Sequence, residues 1–267
     1  MQSLCYNVPV ITSTSNDRIK LVRRLQSQRR AREEEGRFVV EGLRLIETAI
    51  GAGARPDFVL HTPAAAVDPR AAALLRKFQA QGVLLLAVND AVMRACTDTE
   101  APQGLLAVVP VPALPAASGG LTVVADGVRD PGNLGTLLRL AAGAGAAQVV
   151  LAPGTVDAYN PKVVRAAMGA HFTLPVRALD WDALAAELAG APLWIADARG
   201  GGPPWRADLR GRLALVIGGE AEGASAAASA RATGRLTIPL APGVESLNAA
   251  TAGAMILYEV IRQRSGE

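Results

Sequence analysis

Residues 123–153, "VVADGVRDPGNLGTLLRLAAGAGAAQVVLAP", read as a strand, an Asp-Pro-Gly-Asn turn, a helix and a second strand. The first apolar run stops at Asp126 and Gly127, and the second begins near Gln148. Between them the helix, expected near 133–143, carries one charge, Arg139, among Leu, Ala and Gly. Strands that are apolar throughout are covered on both faces, and helices between them provide the cover. This stretch therefore points to an α/β fold with a parallel sheet.

The same alternation extends outward. Downstream, "FTLPV", "PLWIAD", "LALVIGG" and "LTIPL" read as strands, with helices near 161–169, 180–189, 224–232 and 246–264. Upstream, "VPVPALPAASGG" at 109–120 has no apolar periodicity and reads as a linker. Before it, a basic helix near 17–31 leads into strands "RFVV", "DFVLH", "VLLLAV" and "GLLAVV". Helices near 41–52, 69–81 and 90–95 separate those strands. We read a smaller α/β domain over 1–112, a linker at 113–120 and a larger α/β domain over 121–267, without internal repeats.

Composition limits the function. Half of the 267 residues are hydrophobic, enough for substantial cores, yet no apolar run is long enough to span a membrane. The first residues lack the layout of a signal peptide. The two cysteines, Cys5 and Cys96, form no ligand or redox motif, which fits a reduced cytoplasm. Two separated histidines, His61 and His171, argue against a histidine-rich metal site, and neither lies in a nucleophile motif. Residues 1–110 hold 14 Lys/Arg against 11 Asp/Glu, whereas 111–267 hold 13 of each, so the net +3 lies in the first part. It is densest where Arg18, Lys20, Arg23, Arg24, Arg29, Arg30 and Arg32 share the expected helix. Such a stripe is either a phosphate-binding footprint or a solvated face.

In open parallel sheets, ligands bind beyond the carboxyl ends of the strands. Three exits are rich in chemistry: "VADGVRDPGNLG", "VIGGEAEGAS" and "IPLAPGVESLNAA". Gly218 and Gly223 have the spacing of a phosphate loop, but Ala224 stands where its lysine belongs. "GAGAAQ" at 143–148 follows a helix instead of a strand, the reverse of a dinucleotide fingerprint, and lacks its last glycine. What is left is backbone-mediated binding. Gly218 and Gly219 either admit a ligand closely, having no Cβ, or form an ordinary turn.

Taken together, "DPGNLGTLLR" (130–139), "LVIGGEAEGAS" (215–225) and "IPLAPGVESLNAATAGAMILYE" (238–259) resemble the three motifs of the SpoU, or TrmH, family of RNA methyltransferases in the SPOUT superfamily. "YNPKVVRAAMGAHFTLPV" at 159–176 adds to the likeness, and "ITSTSNDRIKLVRRL" with "FVVEGLRLIETAI" resembles the family's L30e-like RNA-binding domain. The resemblance implies 2′-O-methylation of a ribose in structured RNA, S-adenosylmethionine as donor, a deep trefoil knot, and a homodimer with the last helix in its interface. It implies a catalytic set of Asn133, Arg139, Glu220, Ser246 and Asn248. Gly218, Gly219, Ile238, Leu240 and Leu247 would hold the donor, and Arg18, Lys20, Arg23, Arg24, Arg29 and Arg30 would contact RNA. No membrane or metal partner is implied.

A guanidinium with a pKa above about 12 is a poor base. Arg139 is therefore expected as a fork that holds a phosphate and orients the hydroxyl, with Glu220 fixing the fork and Ser246 and Asn248 placing ribose and donor. Each of these polar residues, taken singly, also reads as a helix cap or a turn residue. The motif-three stretch "NAATAGA" has smaller residues than the family pattern, which leaves the packing of that helix open. Two other readings stand beside ribosomal RNA methylation. One is a tRNA 2′-O-methyltransferase, and the other is a non-catalytic RNA-binding protein on the same fold.

Overall fold

The computed structural model describes residues 9–115 and 119–266, so Cys5 and part of the expected linker, 116–118, lie outside the described residues. The chain divides into two compact units at the Pro112–Ala113 boundary.

The first unit runs α1 (Asp17–Ser27), α2 (Arg29–Glu35), β1 (Arg37–Glu41), α3 (Leu43–Gly51), β2 (Phe58–His61), α4 (Pro69–Ala80), β3 (Leu84–Ala87), α5 (Asp90–Ala95) and β4 (Leu105–Pro110). Its sheet order is β1-β4-β2-β3. Here β4 is antiparallel to β1 and β2, and only β2 and β3 are parallel. The apolar continuity of "GLLAVV" reports burial on both faces and says nothing of strand direction, so this sheet is mixed. The expected single basic helix is two. Gln28 is extended between α1 and α2, and the buried Arg32 donates from Nη1 to the main-chain oxygens of Leu25 and Gln26 at the end of α1. A cation on those unpaired carbonyls stabilises the helix terminus. Arg32 is thus structural and leaves the expected stripe.

The second unit runs β5 (Leu121–Asp126), α6 (Pro131–Gly143), β6 (Gln148–Leu151), α7 (Pro161–Ala167), β7 (Val176–Ala178), α8 (Trp181–Glu187), β8 (Leu193–Ala196), β9 (Leu213–Gly218), α9 (Ala226–Ser229), β10 (Gly234–Leu236) and α10 (Ala249–Arg264). All six strands are parallel, in the order β10-β8-β9-β5-β6-β7. Alternate residues face opposite layers: Val123, Val149 and Leu215 join the core with α6, α7 and α10, while Val124, Val150 and Val216 join Trp181, Leu184 and Ala228 of α8 and α9. The order is consistent with the knotted path that the resemblance implies. The chain moves outward from β5 through β6 to β7, then returns on the other side. The β5/β9 pair is therefore the switch point beyond which a ligand crevice is expected.

Two strands differ from expectation. "FTLPV" is mostly a tight turn, and β7 starts only at Val176; in "LTIPL" only Leu236 belongs to β10. Pro175, Pro239 and Pro242 explain both, since proline donates nothing to a ladder. Small residues in α10 have a packing role: Ala250 is buried, and a Cβ on Gly253 would stand 3.3 Å from Leu137 Cδ1 and 3.5 Å from Ile217 Cδ1. Among the described residues no helix is long and apolar enough to cross a membrane.

Candidate active site

The Asp-Pro-Gly-Asn turn is a helix start. Asp130 accepts the main-chain N–H of Asn133 at 2.8 Å, and Pro131 fills the first helical position, where its missing N–H costs nothing. Asn248 does the same for α10, its Oδ1 accepting from the Thr251 N–H at 3.1 Å. That leaves the Asn248 Nδ2 free to donate, and it donates to Asn133 Oδ1 at 2.9 Å. Asn133 Nδ2 in turn donates to the Glu220 carboxylate. An amide has one accepting and one donating end, and a carboxylate only accepts. One main-chain N–H in α10 therefore sets the direction of a three-residue chain that ties all three motif loops together.

The loop after β9 is folded tightly on the exit of β5. Gly219 N–H donates to the Asp126 main-chain oxygen at 3.0 Å, Gly223 N–H to Gly219 oxygen at 2.9 Å, and Ser225 N–H to Asp126 Oδ2 at 2.6 Å. A Cβ on Gly218 would fall inside the backbone of Gly223 and Ala224, and one on Gly219 would stand 2.5 Å from Gly127 oxygen. These glycines exist so that backbone can meet backbone. Of the two readings left open for the pair, ligand approach and a turn, this packing shows the turn.

Beside this loop lies a cavity of about 300 Å³. Gly218, Gly219, Ile238, Leu240 and Leu247 all line it, with Glu220 and Ser246. Sequence reasoning missed Ala196 at the end of β8, Asp197 and Ala198 just beyond it, and Ala249, Ala252 and Ile256 on α10. The exit "IADARG" was a legible signal, since it too leaves a strand at its carboxyl end. Aliphatic walls and bare main chain at 218–219 suit a flat adenine with polar edges, at the small end of ordinary ligand sites. The residues present fit S-adenosylmethionine.

Arg139 lies apart from this cluster. It is exposed and has no hydrogen bond or ion pair with any described residue. Six residues beyond Asn133, it is about 9 Å along α6 and about 120° around it. The carboxylate expected to fix its fork, Glu220, is bonded to Asn133 instead. Arg129, just beyond β5, pairs with Glu222 of the β9 exit loop at 3.5 Å.

The expected RNA-contacting residues of the first unit are all exposed, and most are paired. Lys20 meets Asp17 at 3.0 Å, Arg24 meets Glu35 at 3.9 Å, Arg29 meets Glu33 at 2.7 Å, and Arg30 meets Glu34 at 2.6 Å. Arg18 stands over the Phe58 ring at 5.0 Å, while Arg23 has no ion pair among the described residues. The histidines are structural. His171 is buried, its Nε2–H donates to Ala158 oxygen at 2.7 Å, and burial pushes its pKa down to about 4. Burial also lowers the pKa of His61 and raises that of the free Cys96 thiol to about 11.

The family model described as the SpoU rRNA Methylase family matches residues 120–258. The chain belongs to this family. The MRM3-like substrate binding domain matches residues 16–107. Among SpoU relatives, the 23S rRNA (guanosine(2553)-2'-O)-methyltransferase RlmP of Bacillus subtilis is 31% identical, the match covering 94% of this chain and 98% of the relative. Human mitochondrial rRNA methyltransferase 3 is 32% identical over 93% of this chain and 73% of the relative. The solved SpoU methyltransferase AviRb of Streptomyces viridochromogenes, in complex with AdoMet, superposes with a TM-score of 0.84 at 30% identity, covering 94% of this chain and 98% of that one. An AdoMet-bound rRNA methyltransferase from Sinorhizobium meliloti gives 0.83 at 29% identity, covering 96% and 98%.

Proposed function

We propose that this chain transfers a methyl group from S-adenosylmethionine to a ribose 2′-hydroxyl of ribosomal RNA. The observation that carries the reading is the Asn248–Asn133–Glu220 chain, which joins the three SpoU motif loops beside an apolar cavity of donor size. Two relatives named for ribosomal RNA match along most of this chain, which favours that substrate over tRNA. An intact polar set weighs against a non-catalytic scaffold. A cytoplasmic setting fits the bacterial relative.

When bound, the donor supplies an electrophilic methyl group on a sulfonium. Ile238, Leu240 and Leu247 would hold its apolar parts, and the main chain at Gly218 and Gly219 its polar edges. Asn133 and Asn248, locked in one orientation, would direct polar groups at the ribose, with Ser246 beside them. Arg139, exposed and unpaired, is available as a fork for an RNA phosphate, orienting the hydroxyl while phosphate or water takes its proton. The first unit would hold the RNA through Arg18, Lys20, Arg23, Arg24, Arg29 and Arg30. Their surface ion pairs are worth at most about 1 kcal/mol each, so phosphates can replace the carboxylates. A homodimer is supported by Met255, Tyr258 and Ile261, an apolar stripe left exposed on α10.

The test is label transfer from methyl-tritiated S-adenosylmethionine to separate pools of ribosomal RNA and tRNA. Label in a ribosomal ribose is expected; label confined to tRNA, or none with either pool, would overturn the reading.

A further inference from the structure

One buried carboxylate that bonds the loop beside the cavity lies outside the polar set. Asp126 ends β5, is 3% exposed, and bonds the β9 exit loop at two points six residues apart in sequence. Its main-chain oxygen receives the Gly219 N–H, and its side-chain Oδ2 receives the Ser225 N–H. Between these points run Glu220 to Ala224, all of which line the cavity. Ser225 is also a cap, its Oγ accepting from Ala228 N–H at 3.2 Å, so the grip continues into α9.

We propose that Asp126 is a positioning residue for donor binding: it clamps both ends of the Gly219–Ser225 loop and so holds the cavity wall, and Glu220 with it, in the shape that accepts S-adenosylmethionine. The physical case rests on burial. An unpaired N–H or carboxylate in this place is costly, so the two groups hold each other and leave the loop few alternatives. The main-chain bond alone fixes only the near end. Without the side chain, the Ser225 N–H loses its partner, and beyond Gly219 only the Gly223 N–H to Gly219 oxygen bond still ties the loop that carries Glu220. The charge itself is not required, since any oxygen acceptor of the same reach serves. This separates positioning from catalysis.

The inference rests on the proposed use of the donor, and its test keeps the two apart. Donor affinity by calorimetry and amide hydrogen exchange across 219–225 are measured for the whole protein, Asp126→Ala and Asp126→Asn. Thermal melting reports the fold. We expect Asp126→Ala to weaken donor binding at least tenfold and speed exchange in the loop. Asp126→Asn, whose amide oxygen still accepts from Ser225, should stay within about threefold of the unsubstituted protein. KM for RNA should not move in either. If Asp126→Ala binds the donor normally, or Asp126→Asn fails as badly as Asp126→Ala, the clamp is wrong. If the unsubstituted protein does not bind S-adenosylmethionine, the functional reading falls and the inference with it. Should Asp126→Ala not fold, the slower exchange and retained affinity of Asp126→Asn relative to Asp126→Leu decide the point.

Discussion

Replacing Asn248 separates the two jobs its side chain does. Its Oδ1 caps α10 and its Nδ2 donates to Asn133. Asn248→Ala removes both. Loss of the cap costs about 1 kcal/mol, which in a unit of this size lowers Tm by about 2–4 °C. Asn248→Asp keeps the cap, because a carboxylate accepts the Thr251 N–H equally well and suits a helix N-terminus. It cannot donate, however, and places an acceptor against Asn133 Oδ1. If the Asn133 amide turns over to meet it, its oxygen then faces Glu220, so one acceptor–acceptor contact persists either way. The site is partly exposed and water relieves some of this, which leaves a cost of about 1–1.5 kcal/mol, or roughly five- to tenfold. The same cost falls on the folded state, so we expect Asn248→Asp to lose about 2–6 °C in Tm through the acceptor contact although its cap is kept, while its kcat falls by at least that five- to tenfold factor. Differential scanning calorimetry and single-turnover methyl transfer measure the two. Normal transfer by Asn248→Asp would show that the directed chain plays no part in the chemistry, and an Asn248→Ala protein that melts with the unsubstituted one would refute the cap.

Arg139→Ala should reduce transfer by roughly 100-fold, the scale of a lost orienting contact, with donor affinity within a few-fold; calorimetry beside a transfer assay checks both. The pair Arg23→Glu with Arg24→Glu should weaken RNA binding and flatten its salt dependence, whereas Arg32→Met should lower Tm and leave the salt slope unmoved; filter binding from low to moderate salt shows the difference. His171 is held neutral in the fold, with a pKa lowered from 6.5 to about 4. The unfolded chain therefore binds a proton first as pH falls. The stability due to this group is full above pH 6.5 and is lost progressively down to about pH 4. Melting at several pH values in that window should show a steeper loss for the unsubstituted protein than for His171→Gln.

Much of this site was legible because it depends on local order. Strand exits locate the crevice in any open parallel sheet, and the three motif loops lie where the exits of β5 and β9 and the segment after β10 meet. What stayed hidden depends on contacts between loops distant in sequence. Nothing near Glu220 shows that it meets Asn133, 87 residues away, and not Arg139. Asp126 reads as the last residue of a strand until Ser225 arrives on its carboxylate. Gly218 and Gly219 read either as a ligand approach or as a turn, and the close packing of their main chain on Gly127, Gly223 and Ala224 lies outside what local sequence shows. Arg32 looked like one more surface cation because periodicity does not show a break at Gln28, where the chain turns and brings that guanidinium onto the end of α1. Apolar continuity likewise reported burial in the first unit and not strand direction, and so missed the antiparallel pairs of β4.

The central claim concerns the atom that is methylated. RNA carries a 2′-hydroxyl that DNA lacks, and the site offers amides, a serine, a carboxylate and a guanidinium fork, a set suited to orienting a hydroxyl near a phosphate. The most direct measurement uses a ribosomal RNA fragment that is a good substrate, with 2′-deoxyribose at the single modified position, and locates any methyl group by mass spectrometry. We predict that the deoxy fragment binds as tightly as the parent and receives no methyl group, while a changed base at that position is still methylated. A methyl group found on the base of the deoxy fragment would contradict the account.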